Sequence, residues 1–136
     1  MRIFLDANVL FSAAKSDGAV RALLRLLIEH GHECWADAYV VEEARRNLVA
    51  KGPGALKTLE ALLPHLSVAA ATPSAPESAD LAWLPEKDRP VLAAAMRPGC
   101  GMLVTGDRSH FGAGYGRVFG GVAIHSPRSL AEHLLT

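Results

Sequence analysis

Arg2-Ile3-Phe4-Leu5-Asp6-Ala7-Asn8 is a short apolar, β-favouring run that ends at an acid and a turn. The same grammar returns at Met102-Leu103-Val104-Thr105-Gly106-Asp107, an apolar strand with an acid at its carboxyl end. Two such strands, far apart in the chain and each followed by an aspartate, set the question that the intervening residues must answer.

Those residues alternate between helical and strand patterns. From Val20, the positions Leu23, Leu24, Leu27 and Ile28 make one helix face, which Gly31 terminates. Glu33 to Ala36 reads as a strand, after which Asp37 caps a helix with Val40, Val41, Ala44 and Leu48 inward. Gly52-Pro53-Gly54 ends it, Leu56, Leu59, Leu62 and Leu63 repeat the period up to Pro64, and Leu66 to Ala70 reads as a strand. Residues 72–86, rich in Pro, Ala and Ser, read as a loop with one helical turn around Leu81 and Trp83. Asp88-Arg89-Pro90 opens a helix through Met96, stopped by Pro98-Gly99. The glycines between 112 and 121 predict a flexible loop before a last strand, Val122 to Ile124, and a terminal helix started by Ser126-Pro127 with Leu130 and Leu134 inward.

Strands alternating with helices across short connections predict an α/β fold: a three-layer α/β/α sandwich around a central, mainly parallel sheet. Ligands of such sheets bind beyond the carboxyl ends of the strands, where Asp6 and Asp107 fall. The 136 residues, half of them apolar, fit a single domain over 1–136 that buries roughly two-thirds of its unfolded surface. Cys34 and Cys100 lack the spacing of a zinc site or a disulfide framework. Asp6 and Asn8 interrupt any signal-like apolar core, and no apolar run approaches the roughly 20 residues that span a bilayer. A cytoplasmic protein without a membrane partner is expected. Fourteen basic and fourteen acidic residues balance, so any attraction to a polyanion must be local, from bound cations and a few basic side chains.

Taken singly, Asp6 reads as a turn former, Asp88 as a helix cap, Asp107 as a turn residue, and Glu43 or its neighbour Glu42 as a helix acid. Taken together, two strand-end aspartates and two helix acids converge on one rim. Crowded carboxylates resist ionising together unless a cation neutralises them. Oxygen-only ligands select Mg²⁺ or Mn²⁺, one ion or two, and such ions support in-line attack of water on phosphorus. Asn8, Ser12 and Thr105 carry donors able to orient these acids, or to serve local turns and caps. Arg89, Arg108 and His110 flank them and are candidates to hold substrate phosphates.

The motif order resembles the PIN-domain family of nucleases, in particular bacterial toxin-like members. It does so through Phe4-Leu5-Asp6-Ala7-Asn8-Val9-Leu10, Val41-Glu42-Glu43-Ala44-Arg45-Arg46-Asn47-Leu48, Lys87-Asp88-Arg89-Pro90-Val91-Leu92-Ala93-Ala94-Ala95 and Leu103-Val104-Thr105-Gly106-Asp107-Arg108-Ser109-His110-Phe111. The resemblance puts Asp6, Glu43, Asp88 and Asp107 in the family's acidic quartet, with Thr105, Asn8 and Ser12 at its polar positions. It implies Mg²⁺- or Mn²⁺-dependent cleavage of RNA by the toxin of a toxin–antitoxin pair, an antitoxin partner and a homodimer. The first motif also resembles phosphatases with an aspartyl nucleophile, but these carry a second acid where this chain has Asn8, and would leave Glu43 unexplained. The competing non-enzymatic reading is a PIN-like module that binds RNA or protein without cutting.

Overall fold

The computed structural model describes residues 1–71 and 75–135. Strand β1 (Arg2–Leu5) lies at the centre of a six-stranded sheet with β2 (Glu33–Asp37), β3 (Ser67–Ala69), β4 (Met102–Val104), β5 (Val118–Phe119) and β6 (Val122–His125), in the order β3-β2-β1-β4-β6-β5. Every pairing is parallel except that of β5 with β6. Successive strand residues point to opposite faces, yet Ile3, Phe4 and Leu5 are all 0% exposed, so both faces of the sheet are covered. The predicted α/β/α arrangement is the one observed.

Helices fill the connections between strands, α1 (Ala7–Lys15), α2 (Ala19–Glu29), α3 (Ala38–Lys51), α4 (Leu56–Leu62), α5 (Ala79–Ala82), α6 (Arg89–Met96) and α7 (Arg108–Phe111), and α8 (Pro127–Leu134) follows the last strand. In α3 the Asp37 carboxylate accepts from the Val40 N–H at 2.9 Å, and Val40, Val41, Ala44 and Leu48 are buried, as their spacing requires. The expected turn around Leu81 and Trp83 is α5 with Trp83 at its end; residues 72–74 of that expected loop lie outside the described residues.

Two expectations need correction. The residues after Asp6 do not turn into a loop: Asp6 itself caps α1, which buries Val9, Leu10, Ala13 and Ala14 at helical spacing. The glycine-rich stretch is not a loose loop either. It contains α7, a 3₁₀ turn at Gly112–Gly114 and the β5–β6 hairpin. Gly120 and Gly121, at φ +55° and +82°, link Phe119 to its partner Val122, the two positive dihedrals that a two-residue type I′ turn demands.

The strand order positions the site. From β1 the chain runs to β2 and β3 on one side, then returns to place β4 and β6 on the other. The reversal opens a crevice beyond the carboxyl ends of β1 and β4.

Candidate active site

Asp6 follows β1 and is 5% exposed. Its Oδ1 accepts from the Ala7 N–H at 2.7 Å, and its Oδ2 accepts from the Thr105 hydroxyl at 2.8 Å and from Asn8 Nδ2 at 3.1 Å. Asn8 also donates to Thr105 Oγ1 at 3.2 Å, while its own Oδ1 accepts from the Gly106 N–H at 2.7 Å. The Asp107 N–H donates to the same Thr105 oxygen at 3.1 Å. One hydroxyl, fully used as donor and acceptor, therefore ties the ends of β1 and β4 together. The Tyr115 hydroxyl donates to the Thr105 carbonyl at 2.7 Å and holds that strand end from behind.

Asp88 closes a 3₁₀ turn, Glu86–Asp88, before α6, and its side chain makes no cap bond. The carboxylate is left to face Asp107 and His110. His110 Nδ1 lies 3.0 Å from Asp88 Oδ2 and 3.0 Å from Asp107 Oδ2. Neither approach has the alignment of a hydrogen bond, so Asp88 Oδ2 and His110 Nδ1 are buried polar atoms without a hydrogen-bond partner. Asp107 Oδ1 meanwhile accepts from the His110 N–H at 3.1 Å.

Burial dominates the electrostatics. It pushes the Asp6 carboxyl up to about 6, against the hydrogen bonds from Thr105 and Ala7 and with help from the negative charges of Glu43 and Asp107. Burial also raises Asp88, opposed by His110 and Lys87 and reinforced by Asp107.

Asp6, Glu43, Asp88 and Asp107 line one cleft of about 180 Å³, together with Asn8 and His110. Glu43 faces it; Glu42 is exposed elsewhere on α3, 3.8 Å from Arg45. Within the cleft the tightest group is Asp88, Asp107 and His110, whose ligand atoms all lie within 4.8 Å of one another. A compact set of carboxylate oxygens plus one imidazole nitrogen, two of these atoms buried and unpartnered, fits a small divalent cation. His110, expected beside the acids as a group to hold substrate phosphates, thus stands among them with its ring nitrogen in the ligand set.

Three expected site residues do not line this cleft. Arg89 does not face the acids: its Nε donates to the Leu84 carbonyl at 3.0 Å and its Nη2 to that of Ala82 at 3.4 Å, and it lines a separate cleft with Ala75, Ser78, Leu81 and Pro90. Its guanidinium is spent on the backbone between α5 and α6. Arg108 is exposed at the start of α7 and is not among the residues lining the acidic cleft. Ser12 is exposed on α1 and likewise outside it. Conversely, Tyr39, Asn47 and Lys87 line the cleft and were not singled out. The available signal was the i, i+4, i+8 spacing of Tyr39, Glu43 and Asn47, one stripe of α3, and the adjacency of Lys87 to Asp88.

A family model described as PIN domain matches residues 2–109. No curated protein matches the sequence. Among solved structures, the chain is similar to VapBC2 from Rickettsia felis bound to a DNA fragment from their promoter, at 15% identity and TM-score 0.64, covering 93% of this chain and 98% of that one. It is also similar to Mycobacterium tuberculosis VapC20, a sarcin-ricin loop cleaving toxin, at 18% identity and TM-score 0.58, covering 86% and 98%. At these identities the likeness is one of fold.

Proposed function

Since the chain belongs to the PIN-domain family, we propose that it is a divalent-metal-dependent endoribonuclease, the toxin of a toxin–antitoxin pair. The observation that carries this reading is the cleft in which Asp6, Glu43, Asp88 and Asp107 converge from four separate segments at the sheet's point of reversal. A single-domain cytoplasmic protein, dimeric with itself and held by an antitoxin, completes the proposal. The fold likeness to a sarcin-ricin loop cleaving toxin supports RNA as substrate. A groove of about 320 Å³ lined by Leu24, Ile28, Leu62 and Leu66 supports a protein partner.

Asp88, Asp107 and His110 would hold Mg²⁺ or Mn²⁺, with Asp6 and Glu43 facing the same space. A cation bound there supplies a Lewis acid for a phosphoryl oxygen and neutralises the crowded carboxylates. The chain's own residues do the rest. Thr105 and Asn8 fix the rotamer of Asp6 through its Oδ2. Glu43, which no donor among the described residues hydrogen-bonds, accepts the proton of the attacking water. Lys87, on the rim, holds a phosphate of the RNA. Hydrolysis leaves one new P–O bond from water and one broken P–O bond to a ribose oxygen.

The test is cleavage of a mixed RNA pool with Mg²⁺ or Mn²⁺, with EDTA, and by Asp6→Asn and Asp107→Asn after both are shown to fold. Cutting that needs the metal and falls at least about a hundredfold in each variant is expected. Folded, metal-loaded wild type that binds RNA or a protein partner without cutting any member of the pool would establish the non-catalytic module instead.

A further inference from the structure

We propose that Tyr39 is the platform on which an unpaired RNA base stacks beside the acidic cleft, an assignment that rests on the nuclease reading and adds its substrate subsite. Tyr39 is the second residue of α3 and is 39% exposed, a large solvent-facing aromatic ring on a chain with few of them. It lines the acidic cleft with Glu43 and Asn47, and it also lines the adjoining open groove with Arg46, Leu63 and Val68. Tyr39 is thus the residue the two share.

That groove has the chemistry of one nucleotide. Its floor is apolar, with Val68 on the edge strand β3 exposed by 45%. Its rim carries Arg45, Arg46 and Glu42, the last 3.8 Å from Arg45. Arg45 is committed to Glu60, at 2.8 and 3.2 Å, whereas no acid among the described residues pairs with the exposed Arg46. A strand crossing from groove to cleft lays a base on the Tyr39 ring, a phosphate at Arg46 and the next phosphodiester among the acids. Stacking on an aromatic side chain needs no particular base edge and only an unpaired nucleotide. The substrate class is therefore single-stranded or looped RNA, not a continuous duplex.

The experiment uses the full chain in EDTA, where binding is read without cutting, and a single-stranded RNA oligonucleotide carrying 2-aminopurine at each position in turn. Wild type and Tyr39→Phe are expected to change the fluorescence of one position, while Tyr39→Ala and Tyr39→Leu abolish that change and weaken binding about tenfold or more. With Mg²⁺, the loss in both variants falls mainly on KM. Tyr39→Leu keeps an apolar side chain, so a fold effect of the alanine does not decide the outcome; melting curves accompany all four proteins. Fluorescence and KM unaltered by Tyr39→Leu, with cutting intact, would overturn the stacking subsite and leave the nuclease standing. No RNA binding by folded wild type would overturn both. A Tyr39 variant that alters self-association in sedimentation but not RNA binding would make the groove a protein contact, and the proposal would fall.

Discussion

Thr105 is 0% exposed, and its hydroxyl serves three neighbours: it donates to Asp6 and accepts from Asn8 Nδ2 and the Asp107 N–H. Thr105→Val, nearly isosteric, removes all three bonds at once and leaves Asp6 Oδ2 with one donor. We expect kcat/KM for RNA to fall about 10- to 100-fold, with Thr105→Ser close to wild type. Equal rates for Val and Ser would mean that the hydroxyl orients nothing. The four acids were legible in the sequence because each sits at a strand end or helix face that topology can bring to one rim. His110 was legible as a group flanking the acids, but its place in one ligand set with Asp88 and Asp107 was not, since a lone histidine beside glycines has no ligand spacing. Arg89 misled for a different reason. Its position beside Asp88 says nothing about the two backbone carbonyls that capture its guanidinium.

At the scale of elements, most of the glycines that suggest looseness in the sequence, Gly112 excepted, are steric requirements in the fold. A Cβ on Gly114 would lie 2.5 Å from the Trp83 ring. Trp83 cannot retreat freely, because it stacks on Phe119 at 4.5 Å and meets Phe111 edge-on at 6.3 Å. Gly114→Ala should therefore destabilise the protein by about 1–3 kcal/mol, measured by urea unfolding. An unchanged midpoint would show that the turn and the indole can shift together. The next residue, Tyr115, carries the bond to the Thr105 carbonyl, so Tyr115→Phe should lower cleavage several-fold while the protein still melts cooperatively; activity equal to wild type would remove the turn from the site's support. Periodicity revealed α2, α3 and α4, and a capping residue followed by proline revealed α6 and α8. Neither revealed α1, because its cap, Asp6, directly follows the strand and reads there as a turn, nor β5, whose two residues are too few for any period.

For the whole molecule, the balance of protons links stability to the site. The folded Asp6 carboxyl, pushed up to about 6 from 3.8, holds its proton more tightly than in the unfolded chain. The native state therefore binds more protons between those values, and this contribution to stability is full below about 4 and lost as pH rises through 6. Burial of His125 lowers its affinity for protons and tilts the curve the other way, so the effect of Asp6 is read as a difference. In EDTA, Asp6→Asn should gain on the wild type by up to about 3 kcal/mol between pH 4 and pH 8, and Mg²⁺ should narrow that gap by stabilising the wild type more than a variant that keeps Asp88, Asp107 and His110 but lacks the Asp6 charge. A gap that stays constant with pH would show that Asp6 ionises in the fold as it does in water. The thiols of Cys34 and Cys100, both buried and pushed up to about 11, should react with a thiol reagent only on unfolding. The strand order also governs timing during synthesis. The bond from Thr105 to Asp6 spans 99 positions, and β4 must pair with β1 before Asp107 meets the acids of the first half. A nascent chain that has not yet been translated through Asp107 carries its first aspartate without the residues that complete the cleft. On the proposed nuclease reading, the messenger being read, the nearest RNA of all, is spared until that cleft is assembled.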